Sequence, residues 1–203
     1  MCVIIVKPYG VSLPSDIIRR CWYKNPDGAG IAYADENSVQ IEKGFMQLKE
    51  FENYLSAIDL DEKSAIIHFR ISTSGGINPE MTHPFPLTDS LPLLKATSIQ
   101  TPIAIVHNGI IPIYPERGLS DTATYISQIL VPRYKKKPDF YDDENNRLKI
   151  LDEINSKMVI LNKDYFYMIG DFTEYKNLYF SNMFWQNYSN KRKQQFFSQK
   201  TIA

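Results

Sequence analysis

The 203-residue chain has no surplus of charge of either sign, since Lys and Arg total 23 and Asp and Glu total 23. A balanced chain offers no global field for nucleic acid or for an anionic membrane surface, so neither is expected as a partner and any charge logic is local. Cysteine is scarce too: Cys2 and Cys21 are the whole complement. A disulfide-dependent fold of this size carries more, so both read as free thiols in a reducing compartment. The three histidines, His68, His83 and His107, lie far apart, and no Cys or carboxylate spacing completes a site around them; no metal or other cofactor is expected. Long hydrophobic runs are missing as well. The first, Val3 to Val6, is stopped by Lys7, Pro8 and Gly10, too short for a signal peptide or a membrane span, which leads us to expect a soluble, cytoplasmic protein.

No internal repeat, low-complexity tract or composition break divides the chain. With 43% hydrophobic and 13% aromatic residues it can bury a sizeable core. One domain over residues 1–187 is expected, followed by a polar, basic and partly disordered tail at 188–203 that holds Lys191-Arg192-Lys193.

Apolar, β-branched runs predict strands at Val3 to Val6, Gly30 to Tyr33, Ala65 to Phe69, Ile103 to Val106, Met158 to Leu161, Tyr165 to Ile169 and Leu178 to Phe180. Helical spacing falls at Ser15 to Tyr23, Leu48 to Ile58, Asp121 to Leu130 and Arg147 to Ile154, with Ser15, Ser120 and Asn146 as caps. The order is mixed, not βαβ. Ala65-Ile66-Ile67 and Ile103-Ala104-Ile105-Val106 are apolar on both faces, which points to stacked sheets flanked by helices. The Lys-, Asp- and Pro-rich stretch from Pro132 to Asn146 reads as a solvated excursion.

Cysteine at position 2 is the first chemical signal. Removal of Met1 would leave a thiol beside a free α-amine, whose reference pKa of about 7.7–8.0 lets it take the thiol proton and later return one to a leaving amine. A buried strand start is the structural alternative. At Ile66 to Gly76 a strand runs into a glycine-bearing turn and delivers Arg70, Thr73 and Ser74 to its end. The planar guanidinium suits a carboxylate and the hydroxyls complete the shell, with a structural ion pair as the alternative. Farther on, Asn108-Gly109 leaves another buried strand, where a carboxamide and an unhindered N–H together suit an oxyanion; a plain hairpin turn is the alternative. Asp121 stands at a helix start, either as part of a cap or as the negative charge that a substrate ammonium needs.

Taken in order, these segments resemble the class II glutamine amidotransferase domains of the N-terminal nucleophile (Ntn) hydrolase superfamily. Cys2 resembles the terminal nucleophile, and Asp27-Gly28-Ala29-Gly30-Ile31 is similar to an early strand motif of that family. His68-Phe69-Arg70 through Gly76 resembles its arginine motif, and Thr82-His83-Pro84-Phe85 its following His-Pro-Phe box. His107-Asn108-Gly109 is similar to its oxyanion motif, Ser120-Asp121-Thr122 to its aspartate segment, and Tyr179-Phe180-Ser181-Asn182 to its late Phe-Ser-Asn segment. The resemblance runs from Cys2 to about Asn182. Three positions depart from the pattern: Val3 where glycine is usual, Ser74 where histidine is frequent, and Ala123 where an acidic residue is common.

The resemblance implies an α+β fold, a four-layer αββα sandwich of two stacked, mainly antiparallel sheets flanked by helices. It also implies a stand-alone glutaminase domain that hydrolyses the side-chain amide of glutamine through a Cys2 thioester. Cys2, Asn108 and Gly109 would be catalytic, while Arg70, Thr73, Ser74, His83 and Asp121 would bind substrate. The released ammonia then calls for a separate acceptor-activating subunit. Two alternatives stay open: hydrolysis of another γ-glutamyl or N-acyl amide, and a catalytically inactive regulatory or binding subunit.

Overall fold

The computed structural model describes residues 1–71 and 77–187. Along the chain run β1 (Val3–Lys7), α1 (Ser15–Lys24), β2 (Ala29–Ala34), β3 (Val39–Phe45), α2 (Leu48–Ala57), β4 (Ala65–Phe69), β5 (Phe85–Pro86) and α3 (Leu91–Lys95). Then come β6 (Ser98–Thr101), β7 (Ile103–Asn108), α4 (Asp121–Tyr125), α5 (Val131–Lys136), α6 (Glu144–Ile154), β8 (Lys157–Asn162), β9 (Phe166–Ile169), β10 (Thr173–Tyr175) and β11 (Leu178–Phe180). A π-turn over Ile126–Leu130 joins α4 to α5 into one continuous helical stretch.

Among the described residues the strands form two antiparallel sheets, one in the order β10-β11-β1-β4-β2-β3-β6 and one in the order β5-β7-β8-β9. The molecule is therefore α+β. Strand alternation sorts the apolar side chains into three groups. Val3, Ile5, Ile31, Ile67 and Phe69 face Ile17, Ile18 and Trp22 of α1 and Phe51 of α2. Ile4, Val6, Ala32, Ile41 and Ile66 face Ala104, Val106, Val159 and Leu161 of the smaller sheet. Ile103, Ile105, Met158 and Ile160 face Ala123, Ile126, Val131, Ile150 and Ile154 of the later helices. Because β1, β4, β7 and β8 are covered on both faces, they have to be apolar at every position that packs, an arrangement compatible with a sandwich.

Local chemistry explains the helix ends. In α1 the buried Ile17, Ile18, Cys21 and Trp22 recur at helical spacing, with Asp16 in the first turn and Lys24 in the last as the helix dipole favours. Its cap position is Pro14, not Ser15, and Ser15 already lies inside the helix. Ser120 does cap α4, its side chain accepting from the Ala123 N–H at 3.1 Å. For α6 that role falls to Asp143, which accepts from the Asn145 N–H at 2.8 Å, so Asn146 is interior and the helix begins earlier than expected.

The expected excursion at Pro132 to Asn146 is only half solvated. Lys135, Lys136 and Lys137 are exposed, but α5 and a 3-10 turn at Phe140–Asp142 carry Phe140 and Tyr141 into the core. β3, β6 and β10 escaped the sequence reading because polar residues interrupt them, as in Val-Gln-Ile-Glu-Lys-Gly-Phe of β3. Within β3, the buried Lys43 reaches out of the sheet and donates to Glu80 O and Leu94 O, both at 2.8 Å, with its ammonium 3.9 Å from the centre of the Phe85 ring. Burial pushes its pKa down to about 7, with the Glu80 charge opposing. One lysine thus fastens the 79–95 segment, which contains His83, to the large sheet.

Candidate active site

β1 and β4 pair antiparallel with Val3 opposite Phe69, and extending that register by one residue sets Cys2 against Arg70 at the same end of the sheet. The Cys2 thiol rests on the next backbone unit. Its Sγ–H donates to Ile71 O at 3.5 Å, and Sγ accepts from Ile71 N at 3.4 Å. Burial raises the thiol pKa, with the Ile71 N–H, the chain's terminal ammonium and Arg70 opposing it. The sulfur is therefore a thiol that needs a base, not a preformed thiolate. Arg70 is locked by its backbone, its N–H donating to Gly28 O at 2.8 Å and its carbonyl accepting from Asp27 N at 3.1 Å. The Asp27-Gly28 turn thereby fixes where β4 ends. Gly30 has a separate duty: a Cβ there would lie 2.2 Å from the His83 carbonyl oxygen, so only glycine lets the His83 segment come this close.

β7 ends at Asn108 beside β8, with Asn108 opposite Lys157. No hairpin forms at Asn108-Gly109, since the partner strand begins only at Lys157, and the hairpin alternative falls away. The Asn108 carboxamide donates to Ser181 Oγ at 2.7 Å. Gly109 has φ +154°, and a Cβ on it would lie 2.4 Å from Ser156 Cβ. His107 points to the other face of β7, where its ring contacts Thr122 Oγ1 at 3.1 Å and Ser156 Oγ at 2.7 Å. Asp121 opens α4, and its carboxylate accepts from Ile111 N at 2.8 Å and from Thr122 N at 2.7 Å. Those two bonds hold the carboxylate still and tie the loop after Gly109 to the helix start.

A cleft of about 630 Å³ unites these ends. Cys2, Arg70, His83, Gly109 and Asp121 all border it, as do His68 and His107. Asn108 does not border it; its carboxamide is buried against Ser181. Thr73 and Ser74, and the tail at 188–203, lie outside the described residues. A guanidinium and a carboxylate on the rim of one cleft with a thiol suit a zwitterionic amino-acid substrate. The other wall is apolar, formed by Met81, Ile110, Ile111, Ile113 and Leu119.

The three histidines gather at this cleft, although the sequence spreads them out. The His68 and His83 rings meet edge to face with centroids 4.5 Å apart, and their ring nitrogens are buried. Burial lowers the pKa of His68 to about 3 and that of His107 to about 4, with Asp121 pulling His107 back up, and it takes His83 well below its usual value. Neutral imidazoles this reluctant to protonate are weak bases, so none of them suits the task of taking the thiol proton. Among the described residues no cluster of His, Cys, Asp or Glu has the geometry to hold a metal ion. No helix in the described residues is long and apolar enough to cross a membrane.

Sequence reasoning gave no role to Ser181, Asn182 and Ser156. The Phe180-Ser181-Asn182 segment was visible as a string, but its targets are remote in sequence: pairing of β11 with β1 brings Cys2 close, and packing of the two sheets brings Asn108.

Comparison with known proteins gives partial likenesses. Over 120 residues, 57% of this chain, it is 28% identical to the isomerizing glutamine-fructose-6-phosphate aminotransferase of Fusobacterium nucleatum subsp. nucleatum, covering 18% of that protein. Over 101 residues, 50% of this chain, it is 33% identical to the enzyme of the same name from Methanothermobacter thermautotrophicus, covering 15% of it. Both relatives are aminotransferases named for glutamine. The matched stretch spans less than a fifth of the length of either relative, and no family model matches the chain.

Proposed function

We propose that this chain is a class II glutamine amidotransferase domain of the Ntn type, hydrolysing the side-chain amide of glutamine and releasing ammonia. The observation that carries the reading is the convergence of Cys2, Arg70, Gly109 and Asp121 on one cleft from four separate elements. The partial likeness to glutamine-fructose-6-phosphate aminotransferases supports it. So does the packing of helices outside two antiparallel sheets, which we assign to the four-layer αββα sandwich.

Substrate binds with its α-carboxylate on Arg70 and its α-ammonium on Asp121, which sets the side-chain amide beside Sγ. Removal of the exposed Met1 turns the Cys2 nitrogen into a primary amine. That amine takes the thiol proton as the C–S bond forms; the Gly109 N–H on the cleft receives the charge on the carbonyl oxygen, and the Asn108 carboxamide, one residue behind that rim, reaches the same oxygen when substrate is bound. The amine then protonates the leaving nitrogen, the C–N bond breaks and ammonia departs. Water adds to the thioester and releases glutamate and the free thiol. Neutral histidines around the site leave the α-amine as the base. If the role is biosynthetic, a separate subunit activates the acceptor of the ammonia.

Cys2→Ala, and a variant with extra residues retained ahead of Cys2, should both lose glutaminase activity and labelling by a glutamine-mimicking diazo ketone. Unchanged turnover in either refutes the assignment. A second reading, hydrolysis of a larger γ-glutamyl or N-acyl amide, is favoured by the apolar wall and by a cleft within the roughly 300–1,000 Å³ range that accommodates drug-sized ligands. Cleavage of a γ-glutamyl peptide much faster than glutamine would select it.

A further inference from the structure

We propose that Ser181 is a positioning residue: its hydroxyl sets the Asn108 carboxamide relative to the Cys2 strand, so that nucleophile and oxyanion donor are placed by one buried atom. The proposal rests on the amide-hydrolysis reading above and adds a residue which that reading leaves without a role.

Ser181 follows β11 and is 1% exposed. Its N–H donates to Ile4 O at 3.0 Å, and the Ile4 N–H returns a bond at 2.9 Å to the Ser181 hydroxyl oxygen instead of to a carbonyl. The Ser181 carbonyl accepts instead from Lys157 Nζ at 2.7 Å, and Lys157 is the cross-strand partner of Asn108. On the same hydroxyl, Asn108 Nδ2 donates at 2.7 Å. A serine oxygen has two lone pairs, and Ile4 and Asn108 use both. The next residue completes the clasp, Asn182 Nδ2 donating to Cys2 O at 2.7 Å.

Two consecutive residues therefore grip the Cys2 carbonyl, the Ile4 amide, the Asn108 carboxamide and the side chain opposite it. β1 lies in the larger sheet and β7 in the smaller, so this clasp fixes the two catalytic ends relative to each other across the gap between sheets. The carboxamide is planar, and committing one of its N–H bonds to Ser181 fixes the direction of the other. We assign that second N–H, one residue behind Gly109 on the cleft rim, to the oxyanion. Without the hydroxyl, the carboxamide is free to turn, and a displacement of about 1 Å at a reacting centre costs about a hundredfold in rate.

The test measures glutamine hydrolysis by Ser181→Ala with the enzyme at high concentration, alongside the rate of Cys2 alkylation by iodoacetamide, read on the Cys2 peptide by mass. Alkylation needs the thiol but no oxyanion donor. The expected result is a kcat lowered about a hundredfold, with KM and the alkylation rate each within about threefold of the parent. Placed on Asn108→Ala, the same change should cost nothing further, because the group it positions is already gone. Ser181→Cys fills the same space with a poor acceptor and should reproduce the kcat loss if the alanine variant does not fold. An unchanged kcat, a loss carried by KM, or an equal loss in the Asn108→Ala background overturns the proposal. Turnover that survives Cys2→Ala defeats the amide-hydrolysis reading itself, whatever Ser181 does.

Discussion

Acidification from pH 7 to pH 5 should destabilise this protein well before its carboxylates titrate, because three neutral histidines are buried around one cleft. Burial holds His68 at a pKa of about 3 and His107 at about 4, and takes His83 well below its usual value. In the unfolded chain each returns to about 6.5. With the folded pKa below the unfolded one, the unfolded state takes up protons first as pH falls. The native state thus has its full advantage above pH 6.5 and loses it from there down towards the folded values. Between pH 7 and pH 5 the linkage amounts to about 2 kcal/mol for each such histidine. His68 and His107 together give about 4 kcal/mol, and His83 acts in the same direction. Total stabilities of about 5–15 kcal/mol make that a large fraction.

Urea unfolding followed by the fluorescence of Trp22 and Trp185, which are 6% and 1% exposed, reads the effect directly. At an m value of about 2 kcal/mol/M, the midpoint should fall by about 2 M between pH 7 and pH 5. His107→Gln should remove about 2 kcal/mol of this pH dependence while leaving the rest. Midpoints that agree at the two pH values would refute the reasoning, since they would mean that the folded histidines titrate as they do in water.

Gly30→Ala places a methyl 2.2 Å from the His83 carbonyl oxygen and 2.7 Å from Lys43 Cβ, so it should cost about 3 kcal/mol or more, measured by urea unfolding. Gly109→Ala meets Ser156 Cβ at 2.4 Å at a positive φ, so it should cost about 1–3 kcal/mol of stability by thermal melting and lower kcat for glutamine at least tenfold in the protein that remains folded. Asp121→Asn removes the charge and leaves one acceptor oxygen where the carboxylate uses two, Oδ2 for the Ile111 amide and Oδ1 for the Thr122 amide, so KM for glutamine should rise about 10- to 100-fold with a stability loss of about 1–3 kcal/mol, read by steady-state kinetics and urea unfolding.

Strands covered on both faces were the most legible part of the fold. β1, β4, β7 and β8 are each built on an apolar run because both faces pack against another layer, and that demand is written in neighbouring positions. β3 was hidden because its Lys43 is buried for a reason lying elsewhere, the carbonyls of Glu80 and Leu94. α5 and the turn at Phe140–Asp142 were hidden because a charged surface masks two aromatic residues that face inward. Among the candidate site residues, Cys2, Arg70, Asn108, Gly109 and Asp121 stood out because each closes or opens an element where polar groups are otherwise hard to place.

The chain's own residues determined which groups exist: a thiol one residue from the chain start, an arginine past one buried strand, Asn-Gly past another, and an aspartate at a helix start. Folding decided what they mean to one another. The register of β1 on β4 sets Cys2 against Arg70, the His83 segment closes over Gly30, and Ser181 ties Asn108 to the Cys2 strand. The physical reason is that side-chain periodicity is a local property, recorded in neighbouring residues. A hydrogen bond between groups 73 residues apart, such as Asn108 to Ser181, exists only once packing has brought two sheets together.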